Sequence, residues 1–206
     1  RRDPGVFAPQ QLQEPLLRTE RGAEAVVEIG ELDVKKSRCS KAYRMPALDH
    51  RLITERTRAE ARLIAQARRS GVPTPIIRDI TENTIVMERI NGALLKHSLA
   101  PGTVREAGRM VGRLHRAGIV HGDLTTSNLI VRNGTCVLID FGLAQVSSEV
   151  ESRGVDVHVF FQTLKSTTPD APELRVAFIE GYRDQFPGAR EVLEREKAIE
   201  KRGRYL

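Results

Sequence analysis

The residues with chemistry to offer fall in two short runs, His121-Gly122-Asp123-Leu124-Thr125-Thr126-Ser127-Asn128 and Asp140-Phe141-Gly142. They bring together two carboxylates and one amide oxygen. Phosphoryl transfer asks little covalent chemistry of a protein. It needs metal ions on the phosphates and a carboxylate that orients the attacking oxygen. Asp123, Asn128 and Asp140 are the residue types for that work.

The segment between the runs fixes how these groups meet. Leu129-Ile130-Val131-Arg132 and Thr135-Cys136-Val137-Leu138-Ile139 are built from strand-forming residues, and Asn133-Gly134 stands between them. An Asn-Gly pair is the strongest short hairpin signal, because both central residues of a type I′ turn take positive φ. A two-residue turn sets Arg132 against Thr135 and Val131 against Cys136. Asn128 and Asp140 then leave the open end of the hairpin as neighbours. Two oxygen donors so placed suit Mg²⁺, which takes few protein ligands and fills its shell with phosphate and water. Asp123 lies five residues before Asn128, in the loop leading in, where it can meet a hydroxyl or a water.

Phosphate handling also needs a cation and an acid to hold it, and both must come from earlier in the chain. A helix is expected from about Arg51 to Arg69, stopped by Ser70-Gly71 and Pro73. At 100° per residue, Glu55 and Glu60 lie about 140° apart on it, so only one faces inward. Glu60 shares its face with Ile64 and Ala67, the apolar side, and a charge there needs a buried partner. For the cation, Lys35 and Lys36 both remain open, although Lys36 follows Val34 onto one face of a strand. Gly22-Ala23-Glu24-Ala25 is a turn in the position of a phosphate loop, but the full G-x-G-x-x-G is missing. Met87-Glu88-Arg89-Ile90 ends a strand and offers Met87 as pocket lining and backbone groups around Glu88 and Ile90 as partners for adenine.

The surrounding elements read as two lobes of an α+β protein. Residues 1–14 form a linker or flexible arm. Residues 15–91 carry strands at 16–34, a polar connector at 35–50, the 51–69 helix and strands near 76–78 and 84–90. Residues 92–206 hold a helix at 103–117, the hairpin, and helices near 152–166, 171–186 and 188–201. Strands with one helix followed by mostly helix place a nucleotide in the cleft between lobes.

Composition bounds the alternatives. The chain has 206 residues, 40% hydrophobic and 29% charged, with net charge +6. No apolar run approaches the ~20 residues of a membrane span. Two cysteines make neither a disulfide framework nor a metal cluster, so a cytoplasmic setting is the default expectation. The basic excess favours phosphate-bearing partners such as nucleic acid. The chain opens on Arg1, which fits a piece of a longer polypeptide.

Several motifs together resemble one family. They are Arg21-Gly22-Ala23-Glu24-Ala25, Tyr43-Arg44-Met45-Pro46-Ala47-Leu48, Glu60-Ala61-Arg62, Met87-Glu88, Leu114-His115, Gly118 to Asn128, Ile139-Asp140-Phe141-Gly142-Leu143 and Gly154-Val155-Asp156. They are similar to the small atypical Ser/Thr kinase of the KEOPS (EKC) complex, the p53-related protein kinase family, relatives of the RIO kinases. The resemblance implies a minimal two-lobed protein-kinase-like fold and Mg²⁺·ATP as cofactor, with Mn²⁺ as a possible substitute. It selects Lys36, paired with Glu60, and makes Asp123 the catalytic carboxylate and Asn128 and Asp140 the metal ligands. His121 and Asp156 take the structural support of the catalytic loop. It implies an autophosphorylating subunit that serves as an ATPase in threonylcarbamoyl modification of adenosine 37 of tRNA. The implied partners are a tRNA-modifying subunit on the second lobe, a small regulatory subunit on the first, and tRNA through the complex. Fusion to the tRNA-modifying subunit is a further expectation. The basic tail Lys201, Arg202 and Arg204 resembles a tail tied to tRNA and complex function.

Departures from ordinary kinases narrow the reading. Gly122 stands where their Arg would clamp a phosphorylated activation loop, so no such switch is expected. Thirteen residues separate Gly142 from Asp156, with no Ala-Pro-Glu, so the platform for a peptide substrate is mostly missing. The alternatives are a small-molecule phosphotransferase of the aminoglycoside or choline kinase kind, which also carries His-Gly-Asp, and a nucleotide-binding scaffold.

Overall fold

The computed structural model describes residues 16–203. The expected 1–14 arm and Arg204 lie outside them. The first part is a five-stranded antiparallel sheet with one helix. Its strands are β1 (Leu16–Arg21), β2 (Ala25–Gly30), β3 (Asp33–Arg38), β4 (Ile77–Ile80) and β5 (Thr84–Glu88), in the order β1-β2-β3-β5-β4. Helix α1 (Pro46–Arg69) packs on this sheet, its Ala61 meeting Ile85 and Met87, with Val34 against them.

Two expectations from the sequence need correction. The segment 35–50 is not a connector throughout, because β3 continues to Arg38. Its polar residues look unlike a strand because the side facing the cleft carries charge instead of apolar groups. Helix α1 also begins five residues early, at Pro46. Proline suits the first turn of a helix, where its missing N–H has no partner to lose.

The second part comprises β6 (Ala93–Leu94), α2 (Pro101–Arg116), β7 (Ile119–Val120), β8 (Leu129–Arg132), β9 (Thr135–Leu138), β10 (Gln145–Val146), α3 (Val150–Thr167), α4 (Ala171–Gln185) and α5 (Ala189–Gly203). Strands β6, β8 and β9 form one small sheet and β7 with β10 another. The main core lies among the helices. Val104, Met110, Val111 and Leu114 of α2 are buried against Phe178 and Tyr182 of α4 and Phe160 of α3. Phe160 and Phe178 stack at 4.6 Å between ring centres. Burying aromatic rings of this size dominates core energetics, so this block is the rigid platform beneath the hairpin. No helix among the described residues is long and apolar enough to cross a membrane.

Candidate active site

The β8–β9 hairpin has the register its turn requires. Asn133 and Gly134 take φ of 51° and 77°, Arg132 faces Thr135 and Val131 faces Cys136. At the open end, Ile139 N donates to the Asn128 carbonyl at 2.9 Å, which brings Asn128 and Asp140 side by side. The Asn128 amide Nδ2 donates to the Asp123 carbonyl at 2.8 Å and to Asp123 Oδ2 at 3.0 Å. Asn128 thereby orients the loop carboxylate. Asp140 has φ of 60°, a left-handed conformation that Asp tolerates better than most residues. Its Oδ1 accepts Gly142 N at 3.1 Å, a local turn bond of the kind that holds Asp there.

The five-stranded sheet supplies the opposing charges. Lys36 Nζ donates to Glu60 Oε1 at 2.7 Å and to Asp140 Oδ1 at 2.6 Å. Burial pushes the Lys36 ammonium down, but the Glu60 and Asp140 carboxylates more than offset this and its pKa lies above the ordinary lysine value. Burial pushes Asp140 up, and Lys36 with the Gly142 N–H more than reverses that, so its carboxyl sits below the ordinary range. Both groups are charged at neutral pH. The second oxygen of Glu60 accepts Arg38 Nη2 at 2.5 Å, and Arg38 Nη1 lies 3.6 Å from Glu24 Oε2. Glu60 is 2% exposed, so its two cations answer the need of a buried carboxylate for partners.

A second set of bonds braces the loop from below. Asp156 on α3 accepts His121 N at 2.6 Å on Oδ2 and Gly122 N at 2.8 Å on Oδ1. His115 Nε2 stands 3.3 Å from Asp156 Oδ2, and its Nδ1 stands 2.7 Å from the Tyr182 hydroxyl. A neutral ring that donates from Nε2 and accepts the tyrosine proton at Nδ1 satisfies both contacts. Burial holds the His115 pKa below its ordinary value against the pull of Asp156, which keeps the ring neutral. His121 also uses both ring nitrogens. Its Nε2 meets the Ile139 carbonyl at 3.1 Å and its Nδ1 accepts Asp123 N at 3.3 Å. One ring thus ties the Asp123 loop to the strand end that carries Asp140.

Gly122 has φ of 79°, and a Cβ there would stand well inside van der Waals contact of the Leu143 carbonyl oxygen. The backbone at this position excludes a side chain, quite apart from any role an arginine would play.

The metal-binding expectation passes a chemical test. Asp140 Oδ1 accepts both Lys36 and Gly142, leaving Oδ2 without a hydrogen bond among the described residues. The Asn128 amide nitrogen is engaged, leaving its oxygen likewise. Two hard oxygen donors match Mg²⁺. No group of three or more His, Cys, Asp or Glu side chains able to hold a metal occurs among the described residues, so phosphate and water would complete the shell.

Comparison with known proteins places this arrangement in a family. The RIO domain family matches residues 28–155. A protein of Archaeoglobus fulgidus named "Probable serine/threonine-protein kinase BUD32 homolog" is 51% identical over 185 residues, covering 90% of this chain and 94% of its own. The chain belongs to the RIO domain family, in its Bud32 branch. A Methanoculleus marisnigri protein named "Probable bifunctional tRNA threonylcarbamoyladenosine biosynthesis protein" is 73% identical over 186 residues. That match covers 90% of this chain and 35% of the relative, so this RIO domain spans about a third of the bifunctional protein's length. The Rio2 kinase of Chaetomium thermophilum, in complex with ADP, Mg²⁺ and phosphoaspartate, shares the fold with TM-score 0.63 at 15% identity, covering 92% of this chain and 71% of that one. An aminoglycoside phosphotransferase, APH(2")-IIa with streptomycin and ATP, does so with TM-score 0.60 at 12% identity, covering 91% and 82%. The kinase-like fold expected from the sequence, a sheet-rich first lobe and a helical second, is the fold observed.

The remaining expected residues of this RIO domain are placed as follows. Gly22 N donates to the Ala25 carbonyl at 2.9 Å, closing the β1–β2 turn, and Lys41 Nζ donates to the Ala23 carbonyl. Glu24 pairs with Arg56 of α1 at 3.2 Å. Met87 and Ile90 are buried, each 8% exposed. The Glu88 N–H donates to the Ile76 carbonyl at 2.8 Å, so it is not free for a base, whereas the Ile90 N–H makes no hydrogen bond among the described residues. The Glu88 carboxylate is held by Arg132 at 2.9 Å. Lys201 and Arg202 lie at the end of α5, and Arg202 stands 3.7 Å from Glu151 of α3. Three residues to which the sequence pattern assigns no role enter the site: Arg38, His115 and Tyr182. Alternation along β3 puts Arg38 on the face of Lys36, the signal that extending the strand would have supplied. His115 and Tyr182 stand 67 residues apart, and no local pattern links them.

Proposed function

We propose that this chain transfers or releases the γ-phosphate of Mg²⁺·ATP, as an atypical, autophosphorylating Ser/Thr kinase that works as the ATPase subunit of a tRNA-modifying KEOPS assembly. The observation that carries the reading is Lys36 Nζ resting at once on Glu60 and Asp140, at 2.7 and 2.6 Å. It joins the cation that would meet phosphates to the acid that would hold their metal.

In this reading Lys36, held by Glu60, binds the phosphates, and Asp140 and Asn128 hold Mg²⁺. Bound there, the ion supplies charge neutralisation for the phosphate oxygens. Asp123, aimed by Asn128 Nδ2, orients the attacking hydroxyl or water and accepts its proton. The Gly22–Ala25 turn covers the phosphates, and Met87 with the Ile90 N–H receives the adenine. His121 and Asp156 hold the loop still, which is how positioning contributes to rate.

The relatives' names support the biological setting. A chain 73% identical to part of a protein named bifunctional in tRNA threonylcarbamoyladenosine biosynthesis suits fusion to the tRNA-modifying subunit, in the cytoplasm, with a regulatory subunit on the first lobe. Lys201, Arg202 and Arg204 are the proposed contacts to tRNA or a partner.

The test follows the γ-phosphate of labelled Mg²⁺·ATP, with the chain alone and with tRNA and candidate subunits. Label on Ser or Thr alone, shifting to free phosphate with partners, is the expected result. Label on an aminoglycoside or amino alcohol in an acceptor panel would favour a small-molecule phosphotransferase instead. No label and no release under any condition would leave a nucleotide-binding scaffold.

A further inference from the structure

Arg38 stands at the join of three elements. It ends β3, two residues after Lys36, and its side chain is 6% exposed. Nη2 donates to Glu60 Oε2 on α1 at 2.5 Å, while Nη1 faces Glu24 Oε2 of the β1–β2 turn at 3.6 Å. The same Nη2 would lie 3.8 Å from a Cβ on Gly142, beside Lys36 Nζ at 3.4 Å. The guanidinium thus borders the Asp140-Phe141-Gly142 segment as well. Its Nε has no partner among the described residues, so the two Nη atoms carry its bonds. A planar guanidinium presents its two Nη donors in a fixed fork that spans separated acceptors, whereas an ammonium is a single point charge without that fork. The chain of charges runs from Glu24 through Arg38, Glu60 and Lys36 to Asp140.

We infer that Arg38 is a positioning residue of the phosphate site: it holds Glu60 at the angle that Lys36 requires and, beside the direct Glu24–Arg56 pair, helps fasten the β1–β2 turn to α1. The inference rests on the reading that ATP phosphates lie beneath that turn. Two functions are separable in it. The bond to Glu60 keeps Lys36 aimed. The contact with Glu24, whose side chain is half exposed, shares the tethering of the turn with Arg56.

Four variants divide them: Arg38→Gln, Arg38→Lys, Glu24→Gln and the Arg38→Gln/Glu24→Gln pair. Each is read by melting temperature, by binding of a fluorescent ATP analogue, and by kcat and KM for ATP. Arg38→Lys and Glu24→Gln each keep the bond to Glu60; Arg38→Lys loses the Arg38 part of the tether, and Glu24→Gln loses that part and the Arg56 pair. Glu24→Gln should raise KM about 3-fold, as a part-exposed ion pair would, and Arg38→Lys should raise it by a part of that factor, because Arg56 still holds Glu24. Arg38→Gln also frees Glu60 and should raise KM about 10-fold or more, the scale of a lost hydrogen bond to a buried charge. The paired variant should exceed Arg38→Gln alone by less than the Glu24→Gln factor, because part of the Glu24 effect runs through Arg38 and the rest through Arg56.

Arg38→Gln and Glu24→Gln effects that multiply would overturn the inference, as would a folded Arg38→Gln protein with unchanged KM and analogue binding. If Arg38→Gln fails to fold, the comparison of Arg38→Lys with Glu24→Gln decides alone, and an Arg38→Lys shift of zero, or one larger than that of Glu24→Gln, defeats the tether. Wild-type protein that neither binds the analogue nor turns over ATP would overturn the functional reading and the inference with it. An active wild type insensitive at Arg38 defeats the inference only.

Discussion

Lys36 Nζ donates to Asp140 Oδ1 at 2.6 Å, joining residues 104 positions apart in the chain. The contact ties the five-stranded sheet to the end of the β8–β9 hairpin, so the two lobes share a charged bond where the cleft closes. Asp140 has its carboxyl below the ordinary range, chiefly because Lys36 and the Gly142 N–H outweigh burial. A carboxyl depressed in the folded state contributes stability that is present above its unfolded pKa of about 3.9 and is lost as pH falls through the folded value. Melting curves from pH 5 down to pH 2 should therefore fall less steeply for Asp140→Asn than for wild type. Identical acid limbs would show that Asp140 has no such link.

Asp123 accepts two contacts from one amide, with Asn128 Nδ2 on both its carbonyl and its carboxylate. That aim is what a positioned acid or base needs. Asp123→Ala should lower turnover of ATP by roughly 10²–10⁴-fold with little change in melting temperature. Near-normal phosphate release by a folded variant would remove Asp123 from the chemistry. Asn128→Ala combines loss of aim with loss of the proposed metal oxygen, so it should also raise the Mg²⁺ concentration for half-maximal rate.

Much of the site is legible in the amino-acid sequence, and the reasons are local. Asn133-Gly134 allows one hairpin register, and that register alone brings Asn128 to Asp140. Glu60 is legible because a charge on the apolar stripe of α1 demands a partner. Arg38 is not, because the Lys35-Lys36-Ser37-Arg38 run reads as a polar connector. A strand whose inner face lines a charged cleft inverts the usual apolar signal, so the pattern that identifies strands fails where the site lies. The Tyr182–His115–Asp156 brace is hidden for a different reason. It depends on how α4 packs across α2, a tertiary fact that no spacing in the sequence encodes.

Gly122 gives a prediction about backbone geometry. Its φ of 79° places an L-residue in the left-handed region, and a Cβ would collide with the Leu143 carbonyl oxygen. Strain of this kind is worth roughly 1–2 kcal/mol before the clash is added. Gly122→Ala should lower the melting temperature by about 2–4 °C or more for each kcal/mol lost in a chain of this size. Gly122→Arg should do at least as much, and should not confer phosphate-dependent activation. An unchanged melting curve for Gly122→Ala would mean that the loop relaxes at no cost.

His115 supplies the second pH prediction, with a window distinct from that of Asp140. The ring is 0% exposed and buried neutral between Asp156 and Tyr182, with its pKa below the ordinary value because burial outweighs the Asp156 contact. Below about pH 6.5 the unfolded chain binds a proton at this ring that the folded one refuses. Stability is therefore complete above that pH and declines as pH falls toward the folded pKa, by at most about 1.4 kcal/mol per pH unit. Protonation would also put a donor on Nδ1, where the Tyr182 hydroxyl now donates, and so loosen the brace beneath His121 and Gly122. Melting temperatures between pH 5 and 7 should fall with acidity in wild type, and the slope should flatten in His115→Gln even though that variant starts lower. Equal slopes in the two proteins would assign the acid sensitivity to other groups and leave His115 protonated or solvent-linked in the folded state.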